Sequence, residues 1–269
     1  MRTNRYEFMR PQEILDAQKE KSIVYLPIGP LEWHGPAMPF GTDPLAAEVS
    51  ARMIVERTGG VVLPTLYVGT ERERDAQTLD AMGFAPDEYV IGQDVPKATL
   101  PSFYLREEIF SLIIREYLRI LVKQNYKLIV ILNGHGAANQ NEVLQRLCAE
   151  FTNETDSTVV ATMAVAVSSD LCALEGHASK AETSVQIYLD ADNVDLSQLP
   201  PKSVKLKNSD WGINSCSSYN GHPNADKTVE DEVDPRNADV EYGRKCIELG
   251  VDKVVDEVNE LWIKIKKKQ

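Results

Sequence analysis

No apolar run in the 269 residues approaches the roughly 20 that a bilayer-spanning helix needs, so a membrane partner is not expected. There is no excess of positive charge either. Lys and Arg number 29 against 41 Asp and Glu, for a net charge of −12. Phosphate recognition needs a basic face, so nucleic acid is not expected as a partner, and the acidic balance serves solubility. Cysteine is scarce. Cys148, Cys172, Cys216 and Cys246 stand far apart with no Cys-x-x-Cys pair. A cysteine zinc cluster is therefore not expected, and all four read as reduced thiols of a cytoplasmic protein. The opening residues, Met1-Arg2-Thr3-Asn4-Arg5-Tyr6-Glu7, carry charge with no apolar stretch behind it, unlike a secretory signal. Linkers, internal repeats and low-complexity segments are lacking too, so residues 1–269 read as one domain.

Strands alternate with helices along the chain. Ser22-Ile23-Val24-Tyr25-Leu26-Pro27-Ile28-Gly29 reads as a buried strand, short and rich in β-branched residues. Thr42-Asp43 as cap, Pro44 at the first helical position and Gly59-Gly60 as a stop predict a helix between them. Val61-Val62-Leu63-Pro64 reads as a second strand. Residues 105–126 predict an amphipathic helix with Ile109, Leu112, Ile113, Leu118 and Leu121 inward. Leu128-Ile129-Val130-Ile131-Leu132 has no polar alternation, so both of its faces are expected to be buried. A helix with Val143, Leu144, Leu147, Cys148 and Phe151 follows, then a strand over 158–167. Further helices are expected to start near Ser179 and near Ala238. This alternation predicts an α/β fold with a mainly parallel sheet flanked by helices. Residues 70–104 and 210–227 show no period, and segments of that length are commonly functional.

Histidine is as scarce as cysteine. His34, His135, His177 and His222 each have a glycine one residue away, which lets the backbone come close to a ligand. Glu32-Trp33-His34-Gly35 and Asn133-Gly134-His135-Gly136 directly follow predicted strands, where open α/β sheets place ligands. Glu32 and His34 are two apart, so in extended backbone they face the same way. Asp43 returns near them, and His177 and Glu182 come from a third junction. A carboxylate bridging two cations, with a carboxylate and a histidine on each side, is a sound two-metal design. Mixed nitrogen and oxygen ligands suit Zn, Mn or Fe over Ca. Plainer roles compete. Asp43 before Pro44, taken alone, reads better as a helix cap than as a ligand. Glu182 alone is a solvated helix residue, His135 alone a turn residue, and His222 belongs to a Gly/Pro/Asn-rich loop. Glu71-Arg72-Glu73-Arg74 reads as a salt-bridged surface run. Three junctions delivering ligand-type residues to one sheet edge favour the metal site.

Pro27-Ile28-Gly29-Pro30-Leu31-Glu32-Trp33-His34-Gly35, Gly41-Thr42-Asp43, Asn133-Gly134-His135-Gly136 and Glu182-Thr183-Ser184 together resemble the creatininase (creatinine amidohydrolase) family over residues 22–247. The resemblance implies a creatininase-like fold, two divalent metal ions per chain with zinc foremost, a small-molecule substrate and a homohexamer. It assigns Glu32 and His135 to one metal, His34 and Glu182 to the other, Asp43 to both, and His177 to catalysis. The chain departs from creatininase at Ala137, where creatininase has a glutamate two residues after the motif histidine. It departs again at Ser179-Lys180, in place of Gly-Glu, and across residues 70–104. The missing glutamate counts against creatinine itself. The resemblance leaves three readings open: amide (C–N) hydrolysis of a small cyclic substrate, C–C ring opening of an inositol-derived cyclic diketone such as 3-dehydro-scyllo-inosose, and metal binding without turnover.

Overall fold

The computed structural model describes residues 2–82, 84–91, 100–165, 177–209, 212–214 and 228–267. Helix α1 (Pro11–Glu20) precedes strand β1 (Ile23–Ile28), followed by α2 (Thr42–Thr58), β2 (Val61–Val62), α3 (Ala76–Met82) and α4 (Glu107–Lys123). Then come β3 (Leu128–Asn133), α5 (Ala138–Glu154), β4 (Thr158–Met163), α6 (Lys180–Asp190), the short pair β5 (Lys207–Ser209) and β6 (Gly212–Asn214), and α7 (Val240–Lys266). The four larger strands form one parallel sheet in the order β2-β1-β3-β4. The chain therefore leaves β1 in one direction for β2 and resumes on its other side with β3. That change of direction opens a crevice at the C-terminal ends of β1 and β3.

The strands sort their side chains between two layers. Ile23, Tyr25, Leu128, Val130 and Leu132 face α2 and α7. Val24, Leu26, Ile28, Ile129 and Ile131 face α4 and α5. Period-two alternation sends neighbours to opposite faces, and both faces are covered, so β1 and β3 are apolar up to the closing Asn133 of β3. Every residue of both strands is buried.

Several elements depart from the sequence expectation. On α4 the inward stripe is Phe110, Ile114, Leu118 and Leu121, while Ile109 and Leu112 face solvent. Two apolar stripes share that helix, and periodicity alone does not say which one meets the sheet. β2 stops at Val62, yet Leu63 N and Leu66 N still donate to Tyr25 O and Pro27 O, at 2.9 Å each. Pro64, lacking an N–H, interrupts this ladder. β4 ends at Met163, short of the expected 167; residues 166–176 lie outside the described residues. Helix α1 was not foreseen, although Pro11 at its start and the Glu13 carboxylate on the Arg10 amide (2.8 Å) mark it. α3 lies inside residues 70–104, where the sequence shows no period. Cys246 is disulfide-bonded, which corrects the reading of four reduced thiols. Cys148 is a free, buried thiol, and Cys172 and Cys216 lie outside the described residues. Among the described residues no helix is long and apolar enough to cross a membrane.

The start of α6 is held from behind. Lys180 N donates to Val233 O at 2.9 Å, just ahead of an ion pair between Asp234 and Arg236 whose side chains are each 6% exposed. The Arg236 guanidinium also donates to the carbonyls of Pro200, Pro201 and Val204, at 2.9 Å each. Removing it leaves the buried Asp234 carboxylate with only the Arg236 amide as donor and takes a donor from three carbonyls. Arg236→Met is therefore expected to lower unfolding free energy by about 3–5 kcal/mol, measurable by urea denaturation.

Candidate metal centre

Asp43 reaches the site because α2 begins directly above the sheet. A Cβ on Gly134 would lie 2.1 Å from the Asp43 carbonyl oxygen, and one on Gly29 would lie 2.7 Å from Pro44 N. Both contacts are backbone, so only glycine fits. The helix is capped by Gly41 with no side-chain hydrogen bond. Asp43 is thus not the cap that its position before Pro44 suggested. Its carboxylate instead lies between two imidazoles: Oδ1 is 3.2 Å from His34 Nε2 and Oδ2 is 3.0 Å from His135 Nδ1.

The other groups arrive from strand ends. Glu32 and His34 follow β1, both 2% exposed, and face the same way as extended backbone predicts. His34 Nδ1 lies 3.1 Å from the Glu32 carbonyl. A proton on Nδ1 donates there and leaves the Nε2 lone pair toward the carboxylates, as a metal-binding histidine requires. His135 follows β3, and its Nδ1 is 2.9 Å from Glu32 Oε2. The Asn133 side chain fixes that turn, accepting from His135 N at 3.0 Å and donating to His135 O at 2.7 Å. His177 stacks against His34 with ring centroids 4.3 Å apart. Its Nε2 lies 2.5 Å from the Trp33 carbonyl and its Nδ1 3.8 Å from Glu32 Oε1. Ala178 adopts a left-handed φ of 59°, uncommon for a residue with a side chain, and donates its amide to Glu182 Oε2 at 2.6 Å. That oxygen is also 4.0 Å from His34 Nε2.

Two sets of ligand-type atoms converge within 4.8 Å: Glu32, Asp43 and His135, and Glu32, His34 and His177. The first unites three residues singled out in the sequence. In the second, Glu32 and His177 stand where Asp43 and Glu182 were expected, so Glu32 is the residue common to both sets; the Glu182 carboxylate accepts the Ala178 amide. His222 lies outside the described residues. Tyr89 donates to Glu73 at 3.1 Å and stacks under Arg106, so it belongs to a surface cluster. Tyr104 was not singled out in the sequence. Its hydroxyl donates to Glu32 Oε1, a contact across 72 positions that no local pattern signals.

The electrostatics fit divalent cations. Among the described residues the only ion-pair partners of Glu32, Asp43 and Glu182 are histidines. His34 Nε2 and His135 Nε2 are buried without a hydrogen-bond partner. Burial works against a charged His34 ring, but Asp43, Glu32 and Glu182 outweigh it and lift its pKa to about 10. The same balance, led by burial and reversed by Glu32 and Asp43, raises His135 well above its ordinary value. Burial would raise Glu32, yet His135, His177 and His34 hold it well below the usual carboxylate range. Carboxylates that hold protons on buried imidazoles hold a metal cation by the same attraction.

Gly134→Ala tests how Asp43 is placed. The added methyl must displace the first turn of α2, with an expected cost of at least about 2 kcal/mol and weaker zinc uptake by the folded fraction. Urea denaturation and equilibrium dialysis measure the two.

A family model described as creatininase, creatinine amidohydrolase, matches residues 7–258. No curated protein matches significantly. Among solved structures, a manganese creatininase is 17% identical with a TM-score of 0.66, covering 97% of this chain and 99% of its own. A mutant creatininase of Zn–Zn type is 18% identical, with a TM-score of 0.65 and the same coverage. A provisionally named creatinine amidohydrolase from Bacteroides fragilis NCTC 9343 is 20% identical, with a TM-score of 0.66, covering 97% and 98%. At these identities the structures establish a shared fold, and the family model spans nearly the whole sequence. The chain belongs to the creatininase family.

Proposed function

We propose that this protein is a metal-dependent hydrolase cleaving a C–N (amide) bond in a small, polar, cyclic substrate. The observation that carries the reading is the buried convergence of Glu32, Asp43, His34 and His135. His34 Nε2 and His135 Nε2 are buried without a hydrogen bond, the former 3.2 Å from Asp43 Oδ1, and no Lys or Arg among the described residues pairs with the site's carboxylates. Two divalent cations suit this donor set, zinc foremost, with manganese or iron next. Glu32 and His135 would hold one, His34 and Glu182 the other, and Asp43 both, since its two oxygens face different histidines. When bound, such a pair lowers the pKa of water from 15.7 to about 7 and polarises a carbonyl.

The chain's own groups handle protons and access. His177 donates from Nε2 to the Trp33 carbonyl, which leaves Nδ1 as the basic atom on the Glu32 side. There it takes a proton from the attacking water and returns it to the leaving nitrogen. A Cβ on Gly136 would meet nothing within 4 Å, so the wall beside His135 leaves room for a substrate. Ala137 provides no carboxylate there, and acid–base work falls to His177. That same absence favours a second reading, ring opening of an inositol-derived diketone. An enolate departs before it is protonated, whereas an amine does not.

The same reading takes residues 1–269 as a single hydrolase domain that assembles as a homohexamer. Ile109, Leu112 and Ile120, exposed along α4, supply apolar surface for subunit contact.

Elemental analysis of protein prepared without chelator is expected to give two metal ions per chain, lost or weakened in Asp43→Ala. One metal that the substitution leaves untouched would refute the bridged site. His177→Ala is expected to keep its metal and lose about 100- to 10,000-fold in kcat. Product analysis separates the two reactions. Amide cleavage releases a new amine, whereas diketone opening yields a carboxylate and no amine.

A further inference from the structure

The excursion between Gly69 and Leu105 leaves the sheet edge and returns to it, and both of its described ends grip the loops that carry the candidate ligands. Leu105 N donates to Gly69 O at 2.8 Å and closes its base. At the entry, Thr70 N donates to Gln140 Oε1 at 2.8 Å, and Gln140 Nε2 donates to Asn133 Oδ1 at 2.7 Å. That same Asn133 oxygen receives the His135 amide. Gln140 is fully buried, and a Cβ on Gly69 would lie 2.9 Å from its Oε1. At the exit, Phe103 N donates to Leu31 O at 2.8 Å, and Trp33 N donates to Ser102 Oγ at 3.0 Å. Between these contacts the Tyr104 hydroxyl donates to Glu32 Oε1, and its ring centroid lies 5.8 Å from that of His135.

We propose that Tyr104 and Gln140 are positioning residues of the half-site formed by Glu32, Asp43 and His135, and that the excursion acts through them as a brace of the metal centre. The inference rests on the two-metal reading above. Tyr104 engages one oxygen of Glu32, which leaves Oε2 toward His135 Nδ1 at 2.9 Å. Gln140 fixes the asparagine that holds both backbone groups of His135. Each end of the brace therefore restrains a different ligand of the same half-site. Hydrogen bonds to ligating groups set their orientation, and losing one costs about 10- to 100-fold in metal affinity. Gln140 adds a second function, since its carboxamide joins the excursion to the turn after β3 with one group.

Zinc titration of the apoprotein by calorimetry tests this. Wild type is expected to take up two ions per chain. Tyr104→Phe keeps the ring and removes only the hydroxyl. It is expected to weaken one of the two ions by about 10- to 100-fold and to leave the other, and the urea midpoint of the apoprotein, unchanged. Gln140→Leu is expected to weaken the same ion, and Tyr89→Phe, whose hydroxyl serves Glu73, neither. Two wild-type ions with Tyr104→Phe identical at both would overturn the brace and leave the two-metal reading standing. A changed apoprotein midpoint with unchanged zinc affinity would reduce Tyr104 to a structural contact and likewise overturn it. Failure of wild type to bind zinc or manganese would overturn both.

Discussion

Helix α2 starts closer to the sheet than side chains would allow, and the site depends on that approach. With Gly29 and Gly134 beneath its first turn, Asp43 reaches the crevice where the chain changes direction between β1 and β3. Any Cβ at position 134 would overlap the Asp43 carbonyl. Moving the helix outward to accommodate it would carry the carboxylate away from both imidazoles. The two oxygens of Asp43 face different histidines at 3.2 and 3.0 Å, so a small displacement disturbs both halves of the site at once. Glycine at these positions thus serves the chemistry through packing, without touching a ligand itself.

The second constraint is electrostatic. Carboxylates and imidazoles without a lysine or arginine among them are costly to bury. In the absence of metal the cluster resolves this by holding protons on His34 and His135, whose pKa values rise for that reason. A cation replaces those protons and satisfies more lone pairs than they do. Because the unfolded chain has no preformed site, binding at the native cluster adds directly to folding free energy. The surrounding hydrogen bonds show the same economy of design. The Glu32 carbonyl orients His34, Asn133 orients His135, and the Ala178 amide holds Glu182. These three groups are thereby directed by backbone or amide partners that carry no charge of their own to compete with a cation.

Much of this was legible in the sequence, and the failures have physical causes. β1, β3 and the buried face of α5 were clear because strands covered on both sides are apolar throughout, and α5 carries one apolar stripe. α4 carries two, so Leu118 and Leu121 are buried as expected while Ile109 and Leu112, expected inward, face solvent. α1 buries only Ala17, too little to leave a periodic signal. Asp43 was ambiguous because a capping aspartate and a ligating aspartate look identical beside Pro44. The fold removes the cap reading, since Gly41 holds that position, and brings two histidines to the Asp43 carboxylate. Glu32, His34 and His135 stood out because strand ends in a parallel sheet are where ligands gather. Tyr104 had no signal at all. Its partner is 72 positions away, and its neighbours in sequence show no period that would place it.

Proton handling follows from what the site lacks. Ala137 is buried at the start of α5, two residues past His135, and contributes no acid or base. Glu32 is held as an acceptor by Tyr104 and His135, and Asp43 is divided between two imidazoles. Glu182 receives the Ala178 amide. Every carboxylate in the cluster therefore already has a partner, and none is free to carry a proton through a reaction. His177 differs. It is 11% exposed at its side chain, more than His34 or His135, and one ring nitrogen is tied to the Trp33 carbonyl while the other lies 3.8 Å from Glu32. That arrangement fixes the ring and leaves one nitrogen at the edge of the site. On the function proposed above, holding and proton transfer would be separate tasks: buried groups locked by hydrogen bonds would do the first, and the partly open His177 imidazole beside the left-handed Ala178 would do the second.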